Sequence, residues 1–145
     1  MLCSADDVLC LLFAFDKPMG DEGDTRPWML DLFCGAGGAG RGYANAGFRL
    51  HGVDIRKIRI HYPYEYTSMD AITFLETQDL SKYAAFHASP PCQPYSKASR
   101  DDKYGKKALD MLPRVRQLLK ATGKPYIIEN VEGAPLRKGD TVKLC

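Results

Sequence analysis

The chain has 145 residues, 45% of them hydrophobic and 26% charged, with a formal net charge of +2. That length and apolar share support one domain with a genuine core and exclude a disordered or fibrous class. The small net charge gives no global signature of a nucleic-acid partner, so any such reading must come from local chemistry.

Residues 1–27 carry Asp6, Asp7, Asp16, Asp21, Glu22 and Asp24 against only Lys17 and Arg26, and run through a Gly/Pro/Asp-rich stretch from Pro18 to Pro27. They read as a poorly ordered N-terminal extension without chemistry, leaving 28–145 as the folded domain. The apolar run Val8–Phe15 is too short to span a bilayer, and Asp6 and Asp7 stand where a signal peptide would be positive, so no membrane association is expected. The five cysteines, at 3, 10, 34, 92 and 145, make no Cys-x-x-Cys pair and no zinc-spaced Cys/His cluster. This argues against disulfides and against a metal, and for a reducing, cytoplasmic compartment.

From Trp28 a strand-then-helix rhythm begins. Trp28–Phe33 reads as a buried strand, a glycine turn follows, and Gly40–Ala46 can form a short helix closed by Gly47. Arg49–Ile55 is a second strand, Tyr64–Thr67 a third, Ala71–Thr77 a helix and Tyr83–Ala88 a fourth strand. Lys107–Ala121 is a long helix ended by Gly123, and Tyr126–Asn130 a fifth strand. Such alternation predicts an α/β fold with a mostly parallel sheet flanked by helices. Ligands of such sheets bind at the carboxyl ends of the strands, where the strand order reverses.

The unusual residues fall at those ends. Gly35, Gly37 and Gly40 match Gly-x-Gly-x-x-Gly directly after the first strand, and Asp54 ends the second at the distance where a carboxylate reaches a ribose hydroxyl. The pattern suits an adenosine-containing cofactor, and NAD(H) and S-adenosylmethionine both satisfy it. Cys34, inside the turn beside Phe33, reads as a packing thiol.

In His87-Ala-Ser-Pro-Pro-Cys-Gln-Pro-Tyr-Ser96, a strand runs into Pro90 and Pro91, whose stiff backbone presents Cys92 as a nucleophile would need. Gln93 and Ser96 are candidate orienting or backbone-binding partners. Lys97, Arg100, Lys103, Lys106 and Lys107 outnumber Asp101 and Asp102, a local excess suited to phosphates. Glu129 follows the apolar run Tyr126-Ile-Ile and is expected at the end of a buried strand, where a carboxylate is costly unless it lines a cleft. A parallel neighbour of the Cys92 strand would bring the thiol and this acid to one edge.

Together Asp31-Leu-Phe-Cys-Gly-Ala-Gly-Gly, Pro90-Pro-Cys-Gln93 and Glu129-Asn-Val131, in that order, resemble the signatures of the cytosine-C5 DNA methyltransferase family. The likeness runs from Met29 to Leu136, is similar to compact phage-encoded members, and implies a Rossmann-like methyltransferase fold in a bacterial or phage-infected cell. It further implies an S-adenosylmethionine pocket lined by Asp31, Phe33, Gly35, Gly37 and Pro90, with Asp54 on the ribose hydroxyls, Ile55 on the adenine and Asp70 at the adenine amine. Cys92 would be the nucleophile that adds to cytosine C6 and Glu129 the residue bonded to N3. Gln93, Ser96 and Asn130 would meet the substrate, a base flipped out of duplex DNA.

The family's Gln-x-Arg-x-Arg segment, target-recognition region and closing helix are absent from the sequence. A fold incomplete at its C-terminal end is therefore expected. A catalytically inactive cofactor- or DNA-binding remnant is the alternative reading, and a transfer-RNA cytosine methyltransferase would share the same motifs.

Overall fold

The computed structural model describes residues 23–57, 62–96 and 109–136. Five strands, β1 (Trp28–Leu32), β2 (Arg49–Asp54), β3 (Glu65–Ser68), β4 (Tyr83–Ala88) and β5 (Tyr126–Ile128), form one sheet in the order β3-β2-β1-β4-β5. Every pairing is parallel. Among the described residues three helices accompany them: α1 (Gly38–Asn45), α2 (Ala71–Thr77) and α3 (Leu112–Ala121). The chain winds outward from β1 through β2 to β3, then returns to the other side of β1 with β4 and β5. The strand order thus reverses between β1 and β4, where a crevice opens in doubly wound sheets.

Side chains alternate across the strands, so each strand feeds two cores. Leu30, Leu32, Val53, Phe86 and Ala88 pack against Phe74 and Leu75 of α2 and Val115 and Leu119 of α3. Met29, Leu50 and Ala85 form the opposite layer with Phe48 and with Tyr43 and Ala44 of α1. Each fully buried leucine in such a layer contributes on the order of 2 kcal/mol.

Differences from the sequence expectation sit at element ends. The helix expected over 107–121 starts at Leu112, with Pro113 in its first turn, where a missing N–H costs nothing; the Asp110 carboxylate accepts the Leu112 N–H at 3.2 Å. Residues 107 and 108 lie outside the described residues. β5 stops at Ile128, because Pro90 and Pro91 of the neighbouring chain segment offer no N–H to prolong the ladder. Among the described residues it is the last strand of the sheet and only half-buried, and Glu129, expected at the end of a buried strand, is exposed.

The extension read over 1–27 falls outside the described residues up to 22. Its last part is tied to the sheet. Asp24 pairs with Arg26 at 2.8 Å and with Arg49 at 3.5 Å, the Arg49 N–H donates to the Pro27 carbonyl at 2.9 Å, and the Arg49 guanidinium lies 4.2 Å from the Trp28 ring centre. The Arg26 hydrogen bonds hold the Asp24 carboxyl at about 2. Among the described residues no helix is long and apolar enough to cross a membrane, and no cluster of three metal-ligating side chains occurs.

Candidate functional site

Three loops meet at the carboxyl edge of β2, β1, β4 and β5. The first, Phe33–Gly37, leaves β1 through a run of left-handed backbone: Phe33 at φ 58°, Gly35 at φ 52° and Gly37 at φ 87°. Glycine adopts such angles freely, but for phenylalanine they are strained, and non-glycine strain of this kind gathers at ligand sites. The turn is clamped to β2. The Gly35 N–H donates to Asp54 Oδ2 at 3.1 Å, the Cys34 N–H donates to the Val53 carbonyl at 3.3 Å, and the Arg56 N–H donates to Asp54 Oδ1 at 2.9 Å.

These residues fit an adenosine-bearing cofactor. Asp54, 4% exposed, also accepts from Arg56 Nε at 3.4 Å on Oδ1; a carboxylate offers about four acceptor positions, so one remains beyond these three bonds. Beside it Ile55 is 69% exposed, an apolar surface suited to a flat ring. No atom lies within 4 Å of where a side chain would project from Gly35 or Gly38, so the turn has an open face. Asp70 caps α2, accepting the Thr73 N–H at 2.9 Å through Oδ1.

Asp31, which the resemblance places among the cofactor contacts, is fully buried under the turn, with both its oxygens engaged within the protein. Oδ1 accepts from His87 Nδ1 at 2.8 Å and Oδ2 from the Tyr62 hydroxyl at 3.2 Å. Tyr62 covers Gly37, Gly40 and Gly52: a Cβ would lie 2.5 Å from its Cζ at Gly52, 2.9 Å from its hydroxyl at Gly40 and 3.0 Å from its Cε2 at Gly37. Burial, with Asp31 adding to it, pushes the Tyr62 phenol up, so it stays a donor. Cys34 lies in the same packing, and burial pushes its thiol up to about 12, reinforced by Asp31 and Asp54. It is a packed thiol, as its setting in the sequence indicated.

The second loop, Ser89–Ser96, leaves β4. The Ser89 N–H extends the ladder to the Leu32 carbonyl at 3.2 Å, Pro90 is buried and Pro91 exposed, and Cys92 is half-buried. A tight turn follows, in which the Cys92 carbonyl accepts from the Tyr95 N–H at 2.9 Å and the Ser96 N–H at 3.0 Å. Gln93 is exposed on that turn and Ser96 half-buried at its end. The Lys97–Lys107 basic segment lies outside the described residues.

Beyond β5 runs the third loop, 129–136. The Glu129 N–H donates to the Ala88 carbonyl at 2.9 Å, which sets Glu129 beside the start of the cysteine loop. Asn130 Nδ2 donates to the Pro90 carbonyl at 2.8 Å, and Gly133 packs so closely that a Cβ there would lie 2.8 Å from the Tyr95 carbonyl oxygen. Cys92 and Glu129 are thus carried by loops that leave adjacent parallel strands and are bonded to each other.

His87 and Tyr62 escaped the sequence reading. The signal for His87 is its register position directly opposite Asp31, which exists only once β1 and β4 are paired.

The class is therefore a Rossmann-like α/β domain with its candidate site at the switch point. The C-5 cytosine-specific DNA methylase family matches the chain over residues 28–143, and the chain belongs to that family. S-adenosylmethionine is the cofactor that this membership implies. No curated protein matches significantly. A solved structure with some likeness is the SAM-dependent methyltransferase from Agrobacterium tumefaciens, 24% identical, with a TM-score of 0.39; the alignment covers 50% of this chain and 28% of that one.

Proposed function

We propose that this chain transfers a methyl group from S-adenosylmethionine to C5 of cytosine in DNA through a covalent Cys92 adduct. The observation that carries the reading is the union of the Cys92 and Glu129 loops, at the ends of neighbouring strands, beside the strained glycine turn. Phe33, Gly35, Gly37, Asp54, Ile55, Asp70 and Pro90 would hold the cofactor, with Asp31 supporting the turn from beneath. The bound cofactor supplies an electrophilic methyl group.

Cytosine C5 is a weak nucleophile. Addition of the Cys92 thiolate to C6 moves the electron pair of the C5–C6 double bond toward C5, while Glu129, hydrogen-bonded at N3, stabilises the charge that develops on the ring. C5 then takes the methyl group. Loss of the C5 proton to a base restores the double bond and expels the thiolate. Gln93, Ser96 and Asn130 would position the base and its backbone. The target ring is stacked inside the duplex, so it must be flipped out to reach Cys92.

The test is transfer of labelled methyl groups from S-adenosylmethionine to cytosine-containing duplex DNA, with Cys92→Ala as the blank and a fluorocytosine duplex as the trap. Cys92-dependent transfer and a trapped adduct are expected. Saturable cofactor binding without transfer or adduct would favour the inactive remnant instead. Transfer to transfer RNA but not to DNA would reassign the substrate.

A further inference from the structure

Beneath the cysteine loop lies a buried chain of hydrogen bonds that the proposed reaction does not use. Asp31 Oδ1 and His87 Nδ1 are 2.8 Å apart, and His87 Nε2 and Ser89 Oγ are 3.4 Å apart. The Asp31 and His87 side chains are 1% and 5% exposed. The arrangement has the connectivity of a Ser-His-Asp hydrolase triad, but it is not built for one. The residue after Ser89 is Pro90, which has no N–H to help form an oxyanion hole, and the imidazole is sealed under the ring of Tyr43, 5.3 Å away between centres.

With a neutral imidazole every donor in this chain finds an acceptor. An Asp31 carboxylate accepting from Tyr62 and from Nδ1–H fixes the His87 tautomer, and the Nε2 lone pair is then left to accept the Ser89 hydroxyl. Ser89 is also the first residue of the loop, held through its own N–H to Leu32. We propose that His87 is a positioning residue for the Cys92 loop, locked by Asp31 in the Nδ1–H tautomer so that it fixes the Ser89 side chain at the root of the loop. This rests on Cys92 being the reactive thiol, but the role itself can be read without any methyl transfer.

The experiment is peptide-resolved alkylation of the full chain with iodoacetamide, following Cys92 and Cys34 separately, in wild type, Ser89→Ala, Ser89→Thr and His87→Asn. The amide introduced by His87→Asn can still donate to Asp31, but it cannot reach Ser89, which cuts the link without orphaning the buried carboxylate. Thiol reactivity follows access and setting, so Cys92 labelling should rise about threefold or more in Ser89→Ala and His87→Asn. It should return toward the wild-type rate in Ser89→Thr, which keeps the hydroxyl, and the buried Cys34 should stay slow throughout. Nitrogen-15 spectra of the His87 ring should show the proton on Nδ1.

An unchanged Cys92 rate in Ser89→Ala would overturn the proposal, as would a proton on Nε2. A parallel rise at Cys34 would overturn it too, because it would mark loosening of the whole domain. Failure of the methyl-transfer assay alone leaves these labelling rates intact, so the two readings fail separately.

Discussion

Asn130 donates its side-chain amide to the Pro90 carbonyl at 2.8 Å while its own Oδ1 accepts the Val131 N–H at 2.9 Å. One side chain thereby fixes the loop after Glu129 against the loop before Cys92. Asn130→Ala removes both bonds. The expected loss of stability is about 1 kcal/mol. Misplacing one loop against the other should slow methyl transfer more, by roughly ten- to a hundredfold. Urea denaturation and single-turnover transfer on the same preparations separate the two effects.

Tyr95 works at the far side of the same loop, donating its hydroxyl to the Asp110 carboxylate, which also accepts the Leu112 N–H at the start of α3. Burial, with the Asp110 hydrogen bond and charge adding to it, pushes the Tyr95 phenol up to about 12, so it remains a donor through the physiological range. Tyr95→Phe keeps the ring and loses the bond. Asp110 is exposed, so the cost should be modest, about 0.5–1 kcal/mol. A fall in the urea midpoint with an unchanged slope would match this; a shift beyond twice that size would mean that the ring itself had moved.

Gly52 faces Tyr62 across a gap with no room for a methyl group. A Cβ there would lie 2.5 Å from Tyr62 Cζ and 2.8 Å from Cys34 Sγ. Gly52→Ala should therefore destabilise by about 1–3 kcal/mol through overpacking. It should also raise the alkylation rate of Cys34 as the packed layer opens. Thermal melts and the labelling assay check both.

Burial lowers the His51 imidazole from its ordinary value, although Glu65 opposes the shift. Its ring lies 2.5 Å from the Tyr83 hydroxyl and 2.9 Å from Thr67 Oγ1. In the unfolded chain the same group titrates near about 6.5. Below that pH the unfolded state binds the proton that the folded state refuses, so the stabilisation is fully present above about 6.5 and is lost as pH falls toward the lower folded value. Comparing denaturation midpoints at about pH 7.5 and about pH 5.5 for wild type and His51→Asn should show a smaller acid loss in the variant. An equal loss in both would assign the acid sensitivity to other groups.

Much of this architecture is legible in the sequence because the relevant signals are local. Short apolar stretches between turns mark β1, β2 and β4, and the glycine turn and the Pro90-Pro91-Cys92 loop are written in adjacent residues. What escaped depends on pairing. Asp31 looks like a cofactor contact in one dimension and becomes the partner of His87 only when β1 and β4 lie side by side. Glu129 looks buried after two isoleucines, but β5 is the outermost of the described strands and only half-buried, and a strand's place in the sheet is a property of the whole sheet order. Tyr62 gives no sign in the sequence of the three glycines it covers, which come from a turn, a helix and another strand.

The strand order also has a consequence for how the molecule assembles. As the chain is synthesised from its N-terminus, β1, β2 and β3 can join while β4 and β5 are still unmade, since their pairings are close in sequence. β4 must dock on a β1 edge that has been waiting since the first turn, and β5 must wait for β4. By sequence separation the glycine turn after β1 is expected to form before the junction of the Cys92 and Glu129 loops. Substitutions in the β1–β4 seam should therefore delay the joining of the Cys92 and Glu129 loops even where the finished protein tolerates them.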